Sequence, residues 1–186
     1  MIIKYLKNSL KSILNKYGYE IIKKNKSKYN TYDTPSKELI DTLIASKGIL
    51  HIGGHRGDET HIYNWFGKNV IWVEALPEIF SYLKTNLMFY KNQIPLLALL
   101  SDRDAEKIIF YISNHDGACS SMFKFTDEIK KSPIWSHREY KMTNQIKLET
   151  IKLDTLLSNN NIDVQNYDHW VMDLQGAELK ALKGST

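Results

Sequence analysis

The stretch Gly48-Ile49-Leu50-His51-Ile52-Gly53-Gly54-His55-Arg56-Gly57 sets an apolar run directly against a glycine-rich turn. About 20 residues on, at the distance a nucleoside-binding unit requires, the run Val70-Ile71-Trp72-Val73 closes on an acid, Glu74. Short apolar runs bounded by turn residues read as buried strands. Glycine lets the intervening turn bring backbone close to a ligand. Strand, glycine turn, helix and a second strand ending in a carboxylate predict a Rossmann-type unit, in which the carboxylate accepts hydrogen bonds from ribose hydroxyls. The glycines are spaced G-G-x-x-G rather than G-x-G-x-x-G. That departure points to a nucleoside cofactor other than NAD.

Further units of the same kind flank this core. Upstream, Leu39, Ile40, Leu43 and Ile44 recur at helical spacing behind Ser36, a candidate N-cap. Helices are expected from Glu59 to about Phe66 and from Pro77 through Leu87, with Pro77 in the first turn. A third strand is expected over Leu96–Leu100, and Lys107–Ile112 as its hairpin partner across the turn Asp102–Glu106. Residues 113–147 carry no clean period and read as a long functional loop or lid. Beyond it come a short strand at Thr150–Leu153, a helix capped by Asp154, a strand Trp170–Met172 ending in Asp173, and a helix from Ala177. Alternating strands and helices predict an α/β domain with a doubly wound, mostly parallel sheet over residues 35–186.

The N-terminal arm, residues 1–34, differs in charge. It holds eight lysines against Glu20 and Asp33, a balance of +6, while residues 35–186 carry −2. The folded body therefore has no general affinity for nucleic acid. Residues 2–17 place Ile3, Leu6, Leu10, Ile13, Leu14 and Tyr17 on one helical face and Lys4, Lys7 and Lys11 on another. Such a helix either packs its apolar face on protein or lies on an anionic membrane surface. No apolar run reaches the roughly 18 to 20 residues of a membrane span. The lone Cys119 excludes an internal disulfide and suits a reducing compartment. The expected location is cytoplasmic, with peripheral membrane contact through the arm as the variant reading.

Ligands of open α/β sheets bind beyond the carboxyl ends of the strands, where strand order reverses. Four predicted strand ends carry polar groups there: the glycine turn, Glu74, Ser101-Asp102 and Asp173. Glu74 is the candidate ribose ligand, and Asp102 can accept the exocyclic amine of adenine. Asp58 and Glu59 occupy the helix start where a diphosphate would otherwise sit. A sulfonium nucleoside with an amino-acid tail, S-adenosylmethionine, suits that setting better. His51, His55 and His61 have no compact metal-ligand spacing, so no metal is expected.

Several stretches in one order extend the reading: His51–Gly57, Val70–Glu78, Ala98–Asp102, Ser113-Asn114 with Gly117–Ser121, Lys152–Leu157 and Met172–Glu178. Over about residues 46–184 the chain resembles the FkbM-type S-adenosylmethionine-dependent methyltransferases, which methylate hydroxyls of glycans and small metabolites. The resemblance implies that Gly53, Gly54 and Gly57 form the cofactor loop, Glu74 binds ribose, and Ser101-Asp102 face adenine. It implies that Ser113, Asn114, Ser120, Ser121, Gln175 and Glu178 border the acceptor, a sugar or other small molecule. His51 stands where many relatives have an acid near the methionine ammonium, and a neutral imidazole can accept a hydrogen bond there. Asp173 is the first candidate for the base that activates the hydroxyl, with His55 and His115 in reserve. Trp135, His137, Arg138 and Tyr140 are expected to shape acceptor choice. The family normally continues past the Asp173 strand, so the sheet is expected to stop after its fourth core strand. An open edge there invites association into a homo-oligomer. The rival expectation is a non-catalytic binding or assembly module built on the same fold.

Overall fold

A computed structural model describes residues 36–126 and 140–185. The residues discussed below belong to the compact unit Glu38–Thr186, apart from Ser36 and Lys37. The amphipathic helix expected at 2–17, the basic arm, and Trp135, His137 and Arg138 lie outside the described residues.

Helix α1 (Lys37–Ala45) leads into strand β1 (Gly48–Ile52), helix α2 (Thr60–Trp65), strand β2 (Asn69–Glu74) and helix α3 (Pro77–Asn86). Strand β3 (Gln93–Leu97) completes one side of a sheet whose order is β3-β2-β1-β7, with β7 at His169–Met172. Every pairing in this sheet is parallel. All of β1 is buried, and so is β2 beyond Asn69. Strands covered on both faces need apolar residues at every position, which is why Ile-Leu-His-Ile and Val-Ile-Trp-Val do not alternate with polar residues.

The pleat sorts these side chains into two cores. Leu50, Ile52, Ile71 and Val73 pack with Leu153, Leu156, Leu157 and Ala181 from helices α4 (Leu153–Asn159) and α5 (Glu178–Lys183). Ile49, Val70 and Trp72 pack on the opposite face with Leu43, Tyr63, Leu83 and Leu87 from α1, α2 and α3 or its end. Helices thus cover both faces, as the sequence pattern requires. Each fully buried branched side chain, such as Ile71, contributes roughly 1.5 to 3 kcal/mol.

Four expectations are corrected. The apolar run before Ser101 is not one strand: β3 ends at Leu97, and β4 (Leu99–Leu100) belongs to a second sheet of order β4-β6-β5. Ala98 marks the change, its N–H donating to the Glu74 backbone carbonyl before the chain turns away. Pro95 is tolerated because β3 is an edge strand of its sheet. Strand β5 (Lys107–Ser113) pairs antiparallel with β6 (Met142–Ile151), not with the run 96–100. Residues 142–147 are therefore strand where a loop was expected. That strand is mostly polar, and Phe110, Ile108 and Ile112 of β5 pack against its Ile146 and Leu148. Asp154 lies inside the first turn of α4, whose cap position is Lys152.

The sheet order places the functional region. From the edge strand β3 the chain returns to β7 on the far side of β1, so strand order reverses at β1. The carboxyl ends of β1, β2 and β7 are stitched there. Gly53 and Gly54 both donate to the Val73 carbonyl, at 2.9 and 3.0 Å, and Asp173 N–H donates to the Ile52 carbonyl at 2.9 Å.

Candidate active site

The turn after β1 is shaped by what surrounds it. Gly53 has φ +85°, and a Cβ there would sit 2.0 Å from the Asp173 carbonyl oxygen. No side chain fits between these two strand ends. A Cβ on Gly54 would lie 2.7 Å from Trp72 Cε3, so this residue rests directly on the indole. His55 follows at φ +45°, a left-handed conformation uncommon outside glycine. Its N–H donates to Glu74 Oε2 at 2.9 Å, which fixes the turn to the end of β2.

Glu74 is 8 % exposed. Its Oε1 accepts from the N–H groups of Ala75 and Leu76, at 2.9 and 2.8 Å. Burial raises the carboxyl pKa, and the three backbone N–H groups oppose that rise. A carboxylate offers about four acceptor positions, so roughly one remains beside those three N–H groups. That remaining acceptor belongs to a side chain on the cavity wall.

The cavity has a volume of about 370 Å³. Gly53, His55, Glu74 and Asp173 line its sheet side, and Leu99, Leu100 and Phe110 give it apolar walls. The segment after β5 forms another wall with Gly117, Ala118, Cys119, Ser120 and Met122. His55 Nε2 donates to the Asp116 carbonyl at 3.0 Å, and the Arg56 guanidinium lies 3.6 Å from the Asp116 carboxylate. Gly117, at φ +77°, packs so closely on α3 that a Cβ would meet Ile79 Cγ1 and Leu76 Cδ1 at 3.2 Å. The turn after β1 therefore holds this segment across the cavity.

The third side is the corner after β7. Asp173 is exposed, and its carboxylate accepts a short hydrogen bond from Gln175 Nε2. Gln175, at φ +53°, also lines the cavity. Glu178 closes the corner from below by accepting from Leu174 N–H at 2.8 Å and Gly176 N–H at 3.3 Å. Ser121 Oγ ties it to the other wall by donating to the Gln175 carbonyl at 3.0 Å.

A buried acid at the end of β2, a glycine turn at the end of β1 and an exposed carboxylate just after β7 share one cavity. A family model described as Methyltransferase FkbM domain matches residues 51–186, well over half of the chain. The chain belongs to the FkbM methyltransferase family. Comparisons with curated proteins and with solved structures gave no match. Membership implies a methyl donor.

Of the residues singled out from sequence, the FkbM domain brings Gly53, His55, Glu74, Ser120, Asp173 and Gln175 onto the cavity wall. Gly54 and Gly57 shape the turn from outside that wall: a Cβ on Gly57, at φ +76°, would lie 2.8 Å from Leu83 Cδ1. His51 does not line the cavity. It shares the strand face of Ile49, is 5 % exposed, stacks on Trp72 at 4.4 Å and shares a 3.1 Å hydrogen bond with Tyr63 Oη. Burial, and then the charge of His169, lowers its pKa to about 4, so it is a neutral core histidine.

Ser101 and Asp102 are displaced by the strand switch at Ala98. Ser101 is buried and donates to Asp102 Oδ1, while Asp102 pairs with Lys180 of α5 at 3.3 Å. Those bonds, Ser101's first, hold the Asp102 carboxyl below its usual range. The wall where adenine was expected to meet Asp102 is formed by Ala98, Leu99 and Leu100. Ser113, Asn114, Ser121 and Glu178 brace the walls rather than line them: Ser113 N–H donates to Ser120 Oγ, and Asn114 Oδ1 accepts from Lys141 N–H. His115 sits edge-on to the ring of Tyr140, which does reach the cavity.

Glu59, just before α2, lies within electrostatic reach of Asp173 without lining the cavity. Burial of its carboxyl raises the pKa first, and the charges of Asp58 and Asp173 add to it; the exposure of the residue as a whole keeps that effect modest. Sequence reasoning missed Phe110 and Leu99, because their parity on β5 and β4 was legible only once the second sheet was known. Among the described residues no group of three His, Cys, Asp or Glu side chains could hold a metal, and no helix is long and apolar enough to cross a membrane.

Proposed function

We propose that the protein transfers a methyl group from S-adenosylmethionine to a hydroxyl oxygen of a sugar or other small metabolite. The observation that carries this reading is the buried Glu74 carboxylate on the wall of a cavity at the reversal of strand order. Its size falls at the lower end of the range for small-molecule sites. The chain's residues fit the cofactor chemically. Glu74 can accept from a ribose hydroxyl, Leu99, Leu100 and Phe110 offer an apolar slot for a base, and Gly53 leaves backbone bare beside Asp173. Asp58 and Glu59 disfavour a diphosphate at the start of α2.

When bound, S-adenosylmethionine supplies an electrophilic methyl group on a positively charged sulfur. The residues of this chain position and deprotonate the acceptor. Apolar walls and the 113–122 segment exclude water, so that the acceptor oxygen meets the methyl group at short range. Asp173 takes the hydroxyl proton on a carboxylate oxygen, because a neutral hydroxyl is a poor nucleophile. Gln175 donates to the same carboxylate. His55 is the second proton acceptor on that wall.

The test is transfer of an isotope-labelled methyl group to a panel of simple sugars and polyols, with matched amines beside them. Labelled ethers are expected, and Asp173→Asn should lower their formation by roughly 10²- to 10⁴-fold, the usual worth of a general base. Label on amines alone would overturn the hydroxyl reading, and undiminished turnover in the variant would remove Asp173 as the base.

A further inference from the structure

The amino-terminal rim of the sheet, opposite the cavity, carries a different surface. In a parallel sheet the segments that enter each strand lie together at that rim. Here they expose large apolar side chains on helix ends and the turn after α3: Ile44 is 63 %, Trp65 86 %, Met88 66 % and Phe89 83 % exposed. Scattered exposed hydrophobic residues are ordinary, but contiguous ones mark interaction sites. Bonds between these segments hold them side by side at the rim. Tyr90 Oη and His61 Nδ1 share a 2.8 Å hydrogen bond, Asn92 Nδ2 donates to the Lys68 carbonyl, and Lys68 Nζ donates to the carbonyls of Ile44 and Ser46.

Three of the four strand entries also bring a lysine, Lys47 before β1, Lys68 before β2 and Lys91 before β3, while the entry to β7 carries Asp163 and Asp168. Lys84 stands one helical turn before Met88. The acids nearby are Asp168, which accepts from Lys47 N–H, and Asp41 on α1. Aromatic and methionine side chains on protruding turns, ringed by lysines, match a bilayer interface: rings enter the headgroup layer while lysines meet anionic lipid. A second copy of this chain would set lysine against lysine in a two-fold contact. We infer that this rim is a peripheral docking surface for an anionic lipid bilayer, seated on Trp65, Met88 and Phe89 and steered by Lys47, Lys84 and Lys91. Docked this way, the molecule holds the cavity at the carboxyl rim open to the aqueous side.

The test is flotation of the full chain with vesicles of mixed phosphatidylglycerol and phosphatidylcholine, against pure phosphatidylcholine. Two surface variants, Trp65→Ser/Phe89→Ser and Lys84→Glu/Lys91→Glu, are compared with the parent, and their thermal melts confirm that they fold. Binding to the anionic vesicles is expected, weakening with added salt. Each lysine within reach of the surface is worth about fivefold in partitioning, so the charge reversal should weaken binding by at least about 25-fold. The aromatic pair should also be required. Vesicle binding that survives both variants would overturn the inference and assign attachment elsewhere in the chain. Equal binding to neutral vesicles, or no vesicle binding with self-association lost in the variants, would overturn it too, the latter in favour of a protein interface.

Discussion

His51 makes the fold acid-labile in a way that can be measured. Its imidazole is sealed between Trp72 and Tyr63, and its pKa falls from 6.5 to about 4. Below pH 6.5 the unfolded chain binds a proton that the folded chain refuses until about pH 4. The stability tied to neutral His51 is thus intact above 6.5 and drains away as pH falls toward 4. With about 1.4 kcal/mol per pKa unit, the loss between about pH 7.5 and pH 4.5 comes to about 2.5 kcal/mol. His51→Phe keeps a ring against Trp72 and removes the titration, at a cost of about 1 kcal/mol for the hydroxyl of Tyr63 left without its partner. Urea unfolding followed by tryptophan fluorescence should show the variant slightly weaker than the parent near neutral pH and more stable than it near pH 4.5. Parallel loss of stability in both proteins would mean that His51 titrates normally and is not the sealed core residue described above.

Further outcomes follow from the same coordinates. Gly53→Ala should abolish cofactor binding and destabilise the fold, since its Cβ would meet Asp173 backbone at 2.0 Å; an unchanged melt and unchanged affinity would contradict that close approach. Gly117→Ala, at φ +77° against Ile79, should loosen the segment across the cavity and raise the dissociation constant for S-adenosylhomocysteine by roughly fivefold, from about 1 kcal/mol of backbone strain. Calorimetry checks this, and unaltered affinity would separate that segment from the cofactor. Asp173→Asn should spare cofactor affinity while reducing turnover, and a weakened affinity instead would make Asp173 a binding residue.

The central unit was legible because its constraints are local. Two unbroken apolar runs, a glycine turn and an acid at a strand end admit few arrangements, and the sheet places Gly53, Glu74 and Asp173 within one rim. His51 lies off the cavity wall, a placement that strand parity already holds. It shares a face with Ile49 and pairs in register with Trp72, away from Leu50 and Ile52. Ser101-Asp102 could not be placed from sequence, because Leu96 to Leu100 reads as one apolar run while the chain changes sheets at Ala98. Strand β6 escaped notice for a related reason. Its first half is held by pairing with β5 rather than by apolar residues of its own. Contacts made by distant partners leave no local period.

Calorimetric titration of S-adenosylhomocysteine into the parent chain and into Glu74→Gln is the most direct measurement. The amide keeps the side chain's size but replaces one acceptor oxygen with a donor in a cluster that already faces three N–H groups. Saturable binding at one site is expected in the parent, weakened in the variant by roughly 10- to 100-fold, the worth of a hydrogen bond to a charged group. No heat of binding in the parent, or equal affinity in both proteins, would contradict the assignment of this cavity to a nucleoside methyl donor.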